Sequence, residues 1–79
     1  MRSIQVATGM AIKEFRKKAK LTQKQLQARS NLSQSCLSLW ENGKRDPGAE
    51  GLIILAKIFG TKASIIIDRI EELESQIII

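Results

Sequence analysis

Residues 21–44 read LTQKQLQARSNLSQSCLSLWENGK, and the fold turns on how this stretch bends. Thr22 is a strong N-cap: its hydroxyl can accept from the free amides of Gln23 to Gln25, and Gln25, three residues on, completes a capping box. The helix so begun runs to about Ser30. Asn31 follows, and after glycine asparagine best tolerates a left-handed backbone, so it ends that helix and redirects the chain sharply. Ser33 caps the next helix, Gln34 to about Asn42, which stops at Gly43. On that helix Leu37 and Trp40 share one side, while Gln34, Ser35 and Ser38 lie together on another. The stretch therefore reads as two short helices across a tight turn, the second with one apolar and one short polar face.

Upstream, Gly9 to Lys20 carries Ile12, Phe15 and Ala19 at helical spacing, with Lys13, Lys17 and Lys20 elsewhere on the wheel. This predicts an amphipathic helix that begins as early as Ser3. Downstream, Lys44 to Gly48 is a basic, turn-rich loop in which the fixed φ of Pro47 suits a helix start. A fourth helix, about Ala49 to Phe59, offers Leu52, Leu55, Ala56 and Phe59 to the core and stops at Gly60. The last segment is divided in character: Ile65 to Ile67 and Ile77 to Ile79 are β-branched and suit strands, whereas Asp68 to Gln76 is strongly helical. Ile66, Ile70, Leu73 and Ile77 recur at the seam spacing of a helix that packs on another helix, so helix is predicted from Ala63 to the end. The fold class is all-α with five helices.

Seventy-nine residues suffice for one compact domain, spanning 1–79, with too small a core for a deep cofactor pocket. No cofactor and no small-molecule ligand are expected. The chain is 43% hydrophobic and 27% charged, and no apolar run approaches the roughly 20 residues of a membrane span, nor does the N-terminus resemble a signal peptide. The expected location is cytoplasmic, with no membrane partner. One cysteine, Cys36, and no histidine leave no internal disulfide and no zinc set. Cys36 reads as a small core or half-exposed filler. The net charge of +5 is unevenly spread: residues 1–45 hold ten Lys or Arg against Glu14 and Glu41, while residues 46–79 hold three against six acids. A basic front half is either a solvated face or the footprint of a polyanion.

Thr22-Gln23, Leu26, Ala28, the Asn31-Leu32-Ser33 turn, Leu37 and Trp40-Glu41-Asn42-Gly43-Lys44 resemble the lambda-repressor-like, Cro-type helix-turn-helix family, also called the XRE family. The resemblance runs from about Ile12 to Ile67, and its most specific parts are Leu21-Thr22-Gln23 and, at family spacing, Trp40 to Arg45. It implies a sequence-specific regulator of transcription that binds double-stranded DNA through helices 2 and 3 and catalyses nothing. An α-helix fits the major groove, where each base pair displays its own donor and acceptor pattern. The polar side of the third helix then supplies base contacts from Gln34, Ser35 and Ser38, with Leu39 beside them to meet a thymine methyl. Gln23 at the start of the second helix, and Ser33, Asn42, Lys44 and Arg45, are the implied phosphate contacts. Arg16 and Glu41 are implied to join the first helix to the end of the third as a structural ion pair.

Two residues depart from the family pattern. Gln27 stands where alanine is usual, because the second and third helices come close there, so its side chain must swing outward or widen the crossing. The recognition face also lacks arginine, the commonest reader of guanine.

One recognition helix meets only a few base pairs, so a homodimer on a palindromic operator is expected, its two helices about 34 Å apart. The stripe of Ile66, Ile70, Leu73 and Ile77 is the candidate interface, which makes 64–79 a dimerisation helix; the alternative is that the stripe packs back onto its own domain. The family includes phage repressors, restriction-modification controllers and antitoxins. An antitoxin-like protein would use the isoleucine-rich tail to bind a protein partner. An enzyme is the remaining class, disfavoured because no histidine can act as base and the acids at 68–74 sit on one exposed helix.

Overall fold

The computed structural model describes residues 2–78, with the side chain of Ile78 left aside, and Ile79, expected to end the last helix, lies outside them. Five helices follow in order: α1 (Ser3–Lys18), α2 (Gln23–Ser30), α3 (Gln34–Glu41), α4 (Gly48–Phe59) and α5 (Ala63–Ile78), with no strand among the described residues. Each boundary has a local cause. Both halves of the α2 capping box form, with the Gln25 amide donating to Thr22 Oγ1 at 3.1 Å and the Thr22 amide to Gln25 Oε1 at 2.9 Å. Asn31 ends α2 at φ 62°, and the Ser33 hydroxyl opens α3 by accepting from the Cys36 amide at 3.0 Å.

Helix α1 ends two residues earlier than its periodicity suggests. Lys20 takes a left-handed backbone, φ 60°, while the Leu21 amide reaches back to the Arg16 carbonyl at 3.1 Å and the Lys20 amide to Lys17 at 2.9 Å. This is a Schellman ending with lysine at the position glycine usually fills. The side chain of Arg16 helps hold it, since Nη1 donates to the Leu21 carbonyl at 2.8 Å.

The core gathers Ala7, Ala11 and Ile12 of α1, Leu21, Leu26 of α2, Leu37 and Trp40 of α3, Leu52, Leu55 and Ala56 of α4, and Ile66, Ile70 and Leu73 of α5. Phe15 and Phe59 stack at its edge with ring centroids 6.3 Å apart. The most extensive pairing is between α1 and α5. They run antiparallel, as Ser3 Oγ donates to Glu74 Oε2 at 2.9 Å at one end and Arg69 Nε to Glu14 Oε1 at 2.9 Å toward the other. Ala7 and Ala11, both fully buried, carry too little side chain to hold the two backbones apart.

That seam corrects the expected dimer interface. Ile66, Ile70 and Leu73 are 0%, 7% and 3% exposed within a single chain, so three members of the stripe are core, and only Ile77, 40% exposed, still faces outward. The helical seam spacing was satisfied intramolecularly: α1 is the partner helix, and α5 is an integral layer of the domain. The same contact explains why the β-branched run Ile65 to Ile67 is helical, because burying Ile66 outweighs the few tenths of a kcal/mol by which such residues disfavour a helix.

Candidate nucleic-acid interface

With Leu37, Trp40 and Glu41 buried, α3 is held from behind, and its opposite side is left over. Gln34, Ser38 and Asn42 line up four residues apart on that side, flanked by Ser35 and Leu39; Gln34, Ser35 and Asn42 are exposed and Ser38 and Leu39 half-buried. Asn42 Nδ2 donates to Ser38 Oγ at 3.2 Å, which orients the serine and leaves its O–H free to donate outward. The Ser33 hydroxyl likewise accepts from its own helix and keeps its proton for another acceptor. Lys44 and Arg45, both exposed, follow where the chain leaves α3 at Gly43.

What fixes α3 is a buried polar junction with α1. Arg16 grips Glu41 with two bonds, Nε to Oε2 at 2.6 Å and Nη2 to Oε1 at 3.1 Å, and both side chains are nearly excluded from water, 11% and 2% exposed. Glu41 Oε1 also accepts from Gln23 Nε2 at 3.2 Å, drawing the first residue of α2 into the junction. Gln23 is therefore half-buried with one side-chain N–H already used, a placement the sequence did not reveal.

Gly9 is the other element that sequence reading missed. A β-carbon there would lie 2.5 Å from the carbonyl oxygens of both Trp40 and Glu41, so α1 and the end of α3 meet backbone to backbone. The signal was present: a glycine inside a helix costs about 1 kcal/mol against alanine, and it implies a packing reason. Gly43 serves the same junction from the other side, at φ 71° with its α-carbon face toward Val6.

Gln27 is half-buried and lines an open groove of about 530 Å³ with Lys24, Ala28, Asn31, Leu32 and Ser33, so its side chain meets open space as well as protein. Cys36 is half-buried against the core. No helix among the described residues is long and apolar enough to cross a membrane.

A short polar helix face presented by an apolar core, entered through a capped turn and followed by cations, defines a helix-turn-helix domain. A family model described as Helix-turn-helix matches residues 12–66, and the chain belongs to that family, the XRE-type DNA-binding regulators of transcription. Two crystal structures of the clp gene regulator ClgR from Corynebacterium glutamicum share the fold. One is 22% identical with a TM-score of 0.86, covering 92% of this chain and 78% of that one. The other is also 22% identical, with a TM-score of 0.83 and coverage of 90% and 91%. No curated protein sequence matches the chain significantly.

Proposed function

We propose that this protein binds a two-fold symmetric DNA operator as a homodimer, in the manner of phage repressors and restriction-modification controllers, with the exposed side of α3 in the major groove. The observation that carries the reading is the division of labour on α3. Every side chain on its inner face is spent on the core or on the Arg16 junction, while Gln34, Ser35, Ser38 and Asn42 form a continuous outer arc of short hydrogen-bonding groups. Gln34 pairs well with adenine through its amide, serine accepts several edges, and Leu39 supplies an apolar contact for a thymine methyl. Gln23, Ser33, Asn42, Lys44 and Arg45 hold the phosphates on either side. ClgR, which shares this fold, is a clp gene regulator, and that likeness supports a role in transcription.

With Ile66, Ile70 and Leu73 committed to the core, the dimer contact falls to apolar side chains that remain outside: Ile77, together with Ile65 and Ile67 on α5 and Ile53 on α4, each 40% exposed or more. Selection of bound sites from random duplex DNA tests the whole reading. Enriched sites with two-fold symmetry and half-sites about 10 base pairs apart are expected; asymmetric sites would exclude the dimer geometry. Arg45→Ala should weaken binding to all duplexes and flatten the dependence of log affinity on log salt by about one unit. Gln34→Ala should instead relax preference at one base position and leave the salt slope unchanged.

A further inference from the structure

We propose that Glu41, held by Arg16, positions the side-chain amide of Gln23 for DNA, so that the phosphate grip at the start of α2 and the end of the recognition helix move as one unit. The inference rests on the DNA-binding reading above and adds a function to a pair that otherwise serves only the fold. A carboxylate can only accept hydrogen bonds, so the 3.2 Å contact between Gln23 and Glu41 Oε1 forces the glutamine to turn its NH₂ group toward Glu41 and its carbonyl away. One of the two N–H groups is consumed by Glu41 and the second is left with a defined direction. It joins the backbone amides of Gln23 and Lys24 at the N-terminus of α2, where the helix dipole favours an anion.

Glu41 is itself an anion near the proposed phosphate, and alone it would repel one. The two-bond contact from Arg16 cancels that charge and fixes the carboxylate plane, so Oε1 keeps one orientation toward Gln23. Arg16 further ties the same unit to the Leu21 carbonyl, one residue before the cap of α2. Four points of the chain, the end of α1, the residue before the α2 cap, the first residue of α2 and the last of α3, thus meet on one guanidinium–carboxylate pair. A free glutamine would sample many rotamers and lose that freedom on binding; here the ordering is already done in the absence of DNA.

The test is a double-mutant cycle on the full chain, with a duplex recovered by selection as probe. Gln23→Ala is expected to lower affinity roughly tenfold, equally for specific and unrelated duplexes, with an unchanged salt slope because no cation is removed. The paired substitution Arg16→Gln with Glu41→Gln removes the buried charges together; at a temperature where it is folded it should lose a similar factor. Adding Gln23→Ala to that background should then cost little more. Full additivity, or undiminished affinity in Gln23→Ala, overturns the proposal. Side-chain amide NMR of the unmodified protein gives a second measurement that does not depend on the variants folding. A Gln23 NH₂ pair displaced from random-coil shifts and protected from solvent exchange is expected, and a pair at random-coil shifts with solvent-like exchange overturns the proposal. If the unmodified chain captures no duplex at all, the DNA-binding reading fails, while the NMR result still reports on Gln23.

Discussion

Helix α1 faces two neighbours by opposite means. Toward α5 it offers alanines and receives Ile66, Ile70 and Leu73, an apolar seam that stabilises by excluding water and has little directional preference. Toward α3 it offers a glycine and an arginine, and receives two backbone carbonyls and a buried carboxylate. The first contact holds the domain together; the second sets where the recognition helix points. A seam tolerates small sliding, since hydrophobic burial changes smoothly with area, but a two-bond guanidinium contact and a backbone-to-backbone approach do not.

The sharpest way to break the contrast is Glu41→Ala, which leaves Arg16 buried and without its partner. A loss of about 3–5 kcal/mol is expected, and DNA binding should disappear with the fold; thermal denaturation with an unchanged midpoint would refute this. Leu73→Ala should cost about 2–5 kcal/mol by cavity formation in the α5 seam. Measured well below its lowered melting temperature, it should nonetheless bind DNA almost as tightly as the unmodified chain. Gly9→Ala reverses that pattern. The added methyl pushes on the carbonyls of Trp40 and Glu41, a stability cost of about 1–3 kcal/mol, and affinity should fall even where the protein is fully folded because the end of α3 is displaced. Equal ratios of affinity loss to stability loss for Leu73→Ala and Gly9→Ala would erase the distinction between the two contacts.

The smallest effect concerns the surface pair that crosses the seam. The hydrogen bond from Arg69, aided by the charges of Arg69 and Lys18 and opposed by slight burial, holds the Glu14 carboxyl below its ordinary value. A depressed carboxylate adds stability above its unfolded pKa, about 4.3, and loses it as pH falls through the lower folded value. Both side chains are well hydrated, so the gain is small. Arg69→Ala should therefore melt slightly below the unmodified protein at neutral pH, and the gap should close on acidification below about pH 4. A gap that persisted in acid would point to lost packing of the arginine stem rather than charge.

Local signals were easy to read where a helix end has its own chemistry. Thr22 with Gln25, Asn31, Ser33, Gly43 and Gly60 each act within a turn of themselves, and the structure places helix boundaries at them. The Arg16–Glu41 contact was reachable only through family resemblance, because residues 25 positions apart have no spacing that announces their meeting. The end of α1 falls two residues short of its periodic segment for a related reason. Lysine has no preference for a left-handed backbone, and Lys20 adopts one in a chain reversal that Arg16 braces through the Leu21 carbonyl.

The residues alone set the first four helices, with a capped turn between the second and third and a short polar face on the third, since capping and helical periodicity are properties of neighbours in sequence; the β-branched start of the fifth is helical because Ile66 is buried. Which apolar stripe met which could not be read that way. Ile66, Ile70 and Leu73 carry the same pattern whether they pack on a second copy or on α1, because periodicity specifies a face and leaves its partner open; only the three-dimensional packing, in which Ala7 and Ala11 let α1 come close, decided that they lie inside.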